Sequence, residues 1–391
     1  MSEKEVEQLC TGKLQATPEQ HDVISKALGL PSDASDTVCL GRPLHGNPRE
    51  RAHVRSDKIP HHHHDNIDAT HLVRHARARH AEALKAGRTI VAHQGLNPPG
   101  VFTWLRLKTV FPYNDDTARF DFAFEDPEVI SNPLVSSTCV VSAPEEKPLY
   151  EEPGTRPICP PDDGDEDGPI PVYRAYTPVT KRDSVGILSL VIKKQPAPPD
   201  TPYPPGKMSN YIHALQIGER LGIMGYLQRP PSMIPWEINQ YDAVTMIAGG
   251  VGITPLIQII DYSLHDPSNS TKFLILNGNS TENDIIMRDE LESFQQKYPA
   301  NFEVVNVLSR PPEGWTGESG RIDADLIKKY APPPPAGLGL NALVCVSGPP
   351  AMLESIAGPR EGDRYNGYTG QGELRGALKE IGYTAEQVHK F

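Results

Sequence analysis

The sequence predicts a β plus α/β protein, an antiparallel six-stranded barrel followed by a doubly wound parallel-sheet domain, with a partly disordered helical N-terminal extension. Three observations predict it. Over 101–235 short runs alternate apolar with polar residues between turns. Over 236–391 short, wholly apolar runs are separated by helical or polar segments, as buried parallel strands require. Residues 1–100 lack either pattern and hold 11 of the 14 histidines.

In the extension, Thr17 and Pro18 form an N-cap and first-turn pair for a helix through Leu28, and Asp68 to Lys85 is a second helical run. The Gly/Pro/Arg-rich stretch from Gly41 to Pro60 cannot build a core. His71 and His75 lie four apart, and His61 to His64 form a tetrad. Arg74, Arg77, Arg79 and His80 surround the pair, so a solvated basic helix is the expectation and no metal is assigned.

In the barrel, ThrAlaArgPheAspPheAlaPhe (117–124) places Phe120, Phe122 and Phe124 on one strand face. SerSerThrCysValValSerAla (136–143) and GlyIleLeuSerLeuValIleLys (186–193) are further strands. Between them, Glu145 to Gly168 holds nine acids and five prolines, too charged to pack, and is expected as a solvated loop. The α/β strands are expected at AlaValThrMetIleAla (243–248), LysPheLeuIleLeu (272–276), PheGluValValAsnValLeu (302–308) and AlaLeuValCysVal (342–346).

The formal charge of −12 over 391 residues is unevenly spread: the first hundred residues sum to +1, leaving −13 on the rest. That field repels phosphates and argues against nucleic acid or an anionic membrane as the main partner. No apolar run reaches a membrane-spanning length, and the acidic start MetSerGluLysGluVal is unlike a targeting segment. Five scattered cysteines form neither a disulfide framework nor a cluster motif. The expected location is the cytoplasm or another intracellular reducing compartment.

The sharpest local signal is AlaGlyGlyValGlyIleThrProLeu (248–256). A buried strand ends there, Gly249, Gly250 and Gly252 permit close backbone approach, and Thr254 with Pro255 reads as an N-cap and first-turn pair. Amides at that helix start favour a phosphate or a polarised ring. The segment is neither GxGxxG nor a Walker loop; its bland alternative is a glycine-rich βα turn. A second such turn, ValCysValSerGlyProProAlaMet (344–352), is consistent with one site where the winding reverses. In the barrel, ArgAlaTyrThrPro (174–178) should put Arg174 and Tyr176 on one face and Thr177 on the other. Downstream, Gly206 and Lys207 open a short helix whose amides, with Ser209, could hold a pyrophosphate.

ArgAlaTyrThrPro, ValIleLys followed by ProGlyLysMetSer, GlyGlyValGlyIleThrPro and SerGlyProProAlaMet occur in an order and spacing that resembles the ferredoxin-NADP reductase superfamily, most closely its cytochrome b5 reductase branch. AsnSerThrGluAsnAspIle (279–285) and ProGluGlyTrp (312–315) also look like family segments. The resemblance implies an FAD-binding barrel at 101–235, an NAD-binding domain at 236–391, and hydride passing from NADH to FAD at their junction. It implies that Arg174 binds the FAD pyrophosphate, that Tyr176 packs on the flavin and ribityl chain, and that Thr177, followed by Pro178, bonds near N5. Gly206, Lys207, Met208 and Ser209 would hold phosphates, with Lys193 near the cofactor. Gly249, Gly250, Gly252, Thr254 and Pro255 would line the nicotinamide side, opposite Ser347, Gly348, Pro349, Pro350 and Met352. Thr177, Thr254 and Ser347 are the catalytic candidates.

Three departures stand out. Ser347 replaces a cysteine, Gln195 replaces an aromatic, leaving adenine stacking to Tyr203, and Gly225–Tyr226 replaces a GlyPro. Glu282 and Asp284 favour a free ribose diol, hence NADH over NADPH. Without a fused haem or ferredoxin segment, electrons should leave to a separate acceptor protein, such as a cytochrome b5-like haem protein, or to a small oxidant. Ser347 and Gln195 also motivate a second reading, a catalytically weakened binding or assembly module.

Overall fold

A computed structural model describes residues 37–40, 89–92, 96, 102–131, 133–143, 172–181, 184–197, 205–228, 232–334, 341–363 and 367–391. Both helices expected in the extension, its histidines, the acidic loop and Tyr203 lie outside these residues.

The extension contributes two short strands that its composition did not announce, β1 (Thr37–Leu40) and β2 (Thr89–Ala92). The barrel strands follow as β3 (Thr103–Pro112), β4 (Thr117–Ala123), β5 (Thr138–Ser142), β6 (Tyr173–Tyr176) and β7 (Ile187–Lys193). Helix α1 (Lys207–Ala214) then leads into β8 (Arg220–Gln228). β1 lies parallel to β2, and β2 continues the sheet antiparallel to the end of β8. The sequences ThrValCysLeu and ThrIleValAla carry the β-branched residues that suit such pairing.

Strands β6, β5, β8, β3, β4 and β7 neighbour one another in that order. A single bridge from Pro178 to Leu190, beside a hydrogen bond from Val179 N to Ser189 O (2.9 Å), closes the ring. As alternation predicts, Phe120, Phe122 and Phe124 all enter the barrel core. The outward residues of β4, Arg119 and Asp121, are nevertheless covered, because the second domain packs there. At the departure noted above, β8 skips Gly225 in its pairing with β5, and Tyr226 fills the core with its hydroxyl 3.3 Å from Ser131 Oγ.

The α/β domain runs β9 (Ala243–Gly249), α2 (Ile253–Leu264), β10 (Lys272–Asn279), α3 (Arg288–Lys297), β11 (Phe302–Leu308), β12 (Glu318–Ser319), α4 (Ala324–Tyr330) and β13 (Ala342–Ser347). It ends with α5 (Pro350–Ile356), a hairpin of β14 (Glu361–Asp363) and β15 (Gly367–Gly370), α6 (Gly376–Ile381) and β16 (Val388–Lys390). The parallel sheet has the order β12-β11-β10-β9-β13-β16, so the winding reverses between β9 and β13. Helices α2 and α3 cover one face and α4, α5 and α6 the other. On β9, Met246 enters the first layer and Ile247 the second, which is why the strand reads as an unbroken apolar run. The first layer is continuous with the barrel wall through Val179 and Val191, so the two domains share packing. Among the described residues, no helix is long and apolar enough to cross a membrane.

Candidate cofactor site

Both glycine turns lie at the carboxyl ends of β9 and β13, neighbours at the reversal point. Their backbones touch. A methyl group built on Gly249 would lie 2.5 Å from Met352 Sδ and 2.9 Å from Pro349 Cδ, and one on Gly348 2.8 Å from the same sulfur. One on Gly252 would overlap the Ser347 carbonyl. Gly250, at φ +52°, has open space where a side chain would stand, so it offers bare backbone to a ligand.

The cap reading of this turn needs correction. Gly250–Gly252 forms a 3-10 turn that runs straight into α2, whose N-cap is Gly252 rather than Thr254. The Thr254 hydroxyl instead donates to Val251 O (3.0 Å), and Pro255 sits within the first helical turn, where its missing N–H costs nothing. No side chain caps α2 and no acid stands in its first turn, so the positive end of the helix stays available to a ligand. Across the gap, Pro350 opens α5 behind the cap position of Pro349.

Ser347 is buried, 5% exposed, on the side of β13 that Leu343 and Cys345 share. Cys345 lies deeper and fully buried, and burial pushes its thiol far above the usual range, so it does not replace a thiol at position 347.

In the barrel, Arg174 is an exposed residue of β6 whose Nη1 donates to Tyr173 O at 2.8 Å. Tyr176, two residues on, packs against the barrel core, and Thr177 and Pro178 follow at the seam that closes the ring. α1 begins at Gly206, tight against Gln195, where a methyl group would meet Gln195 Cβ at 2.7 Å. The Gln195 backbone fastens this helix start: its carbonyl accepts from Gly206 N (2.9 Å) and Asn210 Nδ2 (3.0 Å), and its N–H donates to Ser209 Oγ (3.3 Å). The residue standing in for an aromatic thus has a backbone task. Met208 is 1% exposed with its side chain in the barrel core, so a ligand could meet it only through its backbone. With no side-chain cap and no acid in its first turn, the start of α1, beside Lys207, fits a pyrophosphate.

Other candidates are already engaged. Lys193 Nζ pairs with Asp116 at 3.1 Å. Asp284 Oδ2 accepts from Thr281 N (2.8 Å) and Thr281 Oγ1 (2.7 Å) in a capping box, while Glu282 pairs with Arg288 at 3.1 Å. The Asp284 carboxylate therefore serves its own turn first. Arg288 thus stands against Glu282, six positions earlier in sequence.

The sequence reading passed over Gln258, whose signal was its isolation as the single polar residue in ProLeuIleGlnIleIle. Its amide joins the domains. It also passed over the chain end. Phe391 N donates to Val346 O (2.9 Å), and the Phe391 ring meets that of His389 edge-on at 4.6 Å.

A family model described as the oxidoreductase FAD-binding domain matches residues 169–229, and one described as the oxidoreductase NAD-binding domain matches 246–358. NADH-cytochrome b5 reductase 2 of Emericella nidulans is 35% identical over 300 residues, 75% of this chain and 81% of that protein. Its namesake in Coccidioides immitis is 34% identical over 287 residues, 73% of this chain and 76% of that protein. Among solved structures, the cytochrome b5 reductase domain of Ulva prolifera nitrate reductase superposes with a TM-score of 0.55 at 24% identity, covering 76% of this chain and 98% of that one, a likeness of fold.

Proposed function

This chain belongs to the NADH-cytochrome b5 reductase family, and from that premise we propose that it passes electrons from NADH through FAD to a cytochrome b5-like haem protein. The chain is an NADH-dependent flavin oxidoreductase. The observation that carries this reading is the abutment of the Gly249–Gly252 and Gly348–Met352 turns at the point where the sheet reverses. Such a crevice takes a dinucleotide across both strand ends. Bound FAD supplies the conversion of a two-electron hydride donor into single-electron steps; the protein supplies position and a dry junction. Arg174, Lys207 and the amides of α1 would hold the FAD phosphates, Tyr176 and Thr177 the flavin. Gly250, Gly252 and Thr254 would hold the nicotinamide side, with Ser347, Gly348 and Met352 opposite.

A cytochrome b5-like acceptor fits kinship with the NADH-cytochrome b5 reductases, and the charge of this chain constrains how it docks. Residues 101–235 carry 13 Lys and Arg against 18 Asp and Glu, and residues 236–391 carry 12 against 20, so both domains are acidic. Acidic charge on both domains favours an acceptor whose docking face is basic, or a local basic patch that offsets the field. The test is anaerobic mixing of the FAD-loaded full chain with NADH and then with cytochrome b5. Bleaching of the flavin followed by haem reduction is expected. A colourless protein that cannot be reconstituted with FAD would overturn the reading and leave a binding module. Flavin bleaching without haem reduction would remove the acceptor alone.

A further inference from the structure

We propose that Gln258 is a positioning residue for hydride transfer: its side-chain amide locks helix α2 to the seam that closes the barrel, and so sets the approach of the nicotinamide turn to the flavin loop. This rests on the NADH-to-FAD reading above. Gln258 is 8% exposed. Its Oε1 accepts from Ser137 N at 3.0 Å and its Nε2 donates to Pro178 O at 2.8 Å. Both partners belong to the barrel and both are backbone groups, so one amide joins the domains with each of its ends satisfied.

The partners matter more than the count of bonds. Pro178 directly follows Thr177, and its bridge to Leu190 closes the barrel ring. Ser137 directly precedes β5, whose Cys139 pairs with Tyr176. Gln258 thus holds the flavin loop from two sides. α2 starts from the Gly250–Gly252 turn, less than two helical turns before Gln258, so the amide and the glycine turn lie on one short stretch of hydrogen-bonded helix. A displacement at Gln258 therefore moves one loop relative to the other.

Two further features make the amide more than packing. Neighbouring Ser136 sits at φ +56°, a left-handed conformation that costs a non-glycine residue energy and persists only where its surroundings hold it. One hold is Ile234 N donating to Ser136 Oγ (3.1 Å), and the adjacent peptide is held by Gln258. Beside Gln258, moreover, lies an interdomain cavity of about 290 Å³, lined also by Arg119, Asp121, Asp261 and Glu290. Apolar contact alone does not fill this junction; directional bonds specify its register.

The step served moves one hydride, a proton with two electrons, from nicotinamide C4 of NADH to flavin N5, giving NAD⁺ and flavin reduced by two electrons. No proton passes through Gln258. Misplacing the reacting atoms by about 1 Å costs up to about a hundredfold in rate.

The experiment uses the full, FAD-loaded chain. Gln258→Leu removes both bonds. It should slow anaerobic flavin reduction at saturating NADH by about tenfold to a hundredfold, with FAD content unchanged, NADH affinity altered less than about twofold, and amide exchange at Ser137 accelerated. Gln258→Glu keeps the acceptor for Ser137 N–H but, when ionised, turns an oxygen toward the Pro178 carbonyl. Protonation restores a donor, so its reduction rate should rise relative to wild type as pH falls. The groups facing that carboxyl are Asp121 and Arg119 of β4, Lys181 after the seam, Asp261 of α2 with its partner His265, and Glu290 of α3. Reduction of Gln258→Leu at the wild-type rate, or a Gln258→Glu rate that follows wild type at every pH, would overturn the proposal alone. A wild-type holoprotein that NADH does not reduce would overturn the reading beneath it.

Discussion

Arg174 is exposed on β6, with Nη1 donating to the Tyr173 carbonyl. A charge-assisted bond to phosphate contributes about 1.5–3 kcal/mol, so Arg174→Ala is expected to weaken FAD retention by roughly tenfold or more while NADH affinity stays within about twofold. Equal FAD content after dialysis of mutant and wild type would remove the phosphate role. His389 offers a residue-scale prediction of another kind. It is buried with Nε2 3.2 Å from the Ser232 carbonyl, and burial lowers its pKa to about 4. Because the unfolded chain takes up a proton near pH 6.5 and the native chain does so only near pH 4, this group stabilises the fold fully above the first value. That contribution declines as pH falls between them, by about 1.4 kcal/mol per unit at most. Urea midpoints should drop over that window in wild type and less steeply in His389→Gln, whose amide can still donate to Ser232.

At the scale of elements, the two glycine turns show what a motif states and what it leaves out. GlyGlyValGlyIleThrPro announced a strand-to-helix turn with close backbone approach, and Gly252 indeed lies under the Ser347 carbonyl with no room for a methyl group. Gly252→Ala is therefore expected to destabilise the domain by about 1–3 kcal/mol and to weaken NAD⁺ binding, read as a lower urea midpoint and a raised Kd; an unchanged Kd would separate this turn from the nucleotide. Thr254 as N-cap was a reasonable reading of a helix start, yet the 3-10 turn begins the coil earlier and takes the hydroxyl for Val251. Local preference yielded to the close packing of two loops far apart in sequence. Asp284 is similar. Its type and place suggested a partner for a ribose, whereas Thr281 three residues back closes a capping box on it.

Over the whole molecule, acidic charge extends across both domains. Residues 101–235 sum to −5 and residues 236–391 to −8, within a formal charge of −12 for the chain. For an acceptor whose docking face is acidic, the second-order rate of haem reduction should rise with ionic strength as salt screens the repulsion, while flavin reduction by NADH at saturation barely changes. A haem-reduction rate that falls with salt would mark a basic docking face on the acceptor or a local basic patch on this chain. The two domains also share a packed layer, reached by Val179 and Val191 from the barrel, so their orientation is part of the fold rather than a loose tether.

Periodicity alone determined the order of barrel and doubly wound sheet, because alternation and unbroken apolar runs are the direct imprint of one-sided and two-sided burial. Close backbone approach at both glycine turns was legible as well, because a position with no room for a side chain is restricted to glycine. Tertiary structure alone decided which polar groups remain available and which are spent. The pairing of Lys193 with Asp116, the capping by Asp284, the backbone duty of Gln195 and the bridge made by Gln258 each depend on a partner brought near by folding. A hydrogen bond is made between two groups, and one strand of sequence names only one of them.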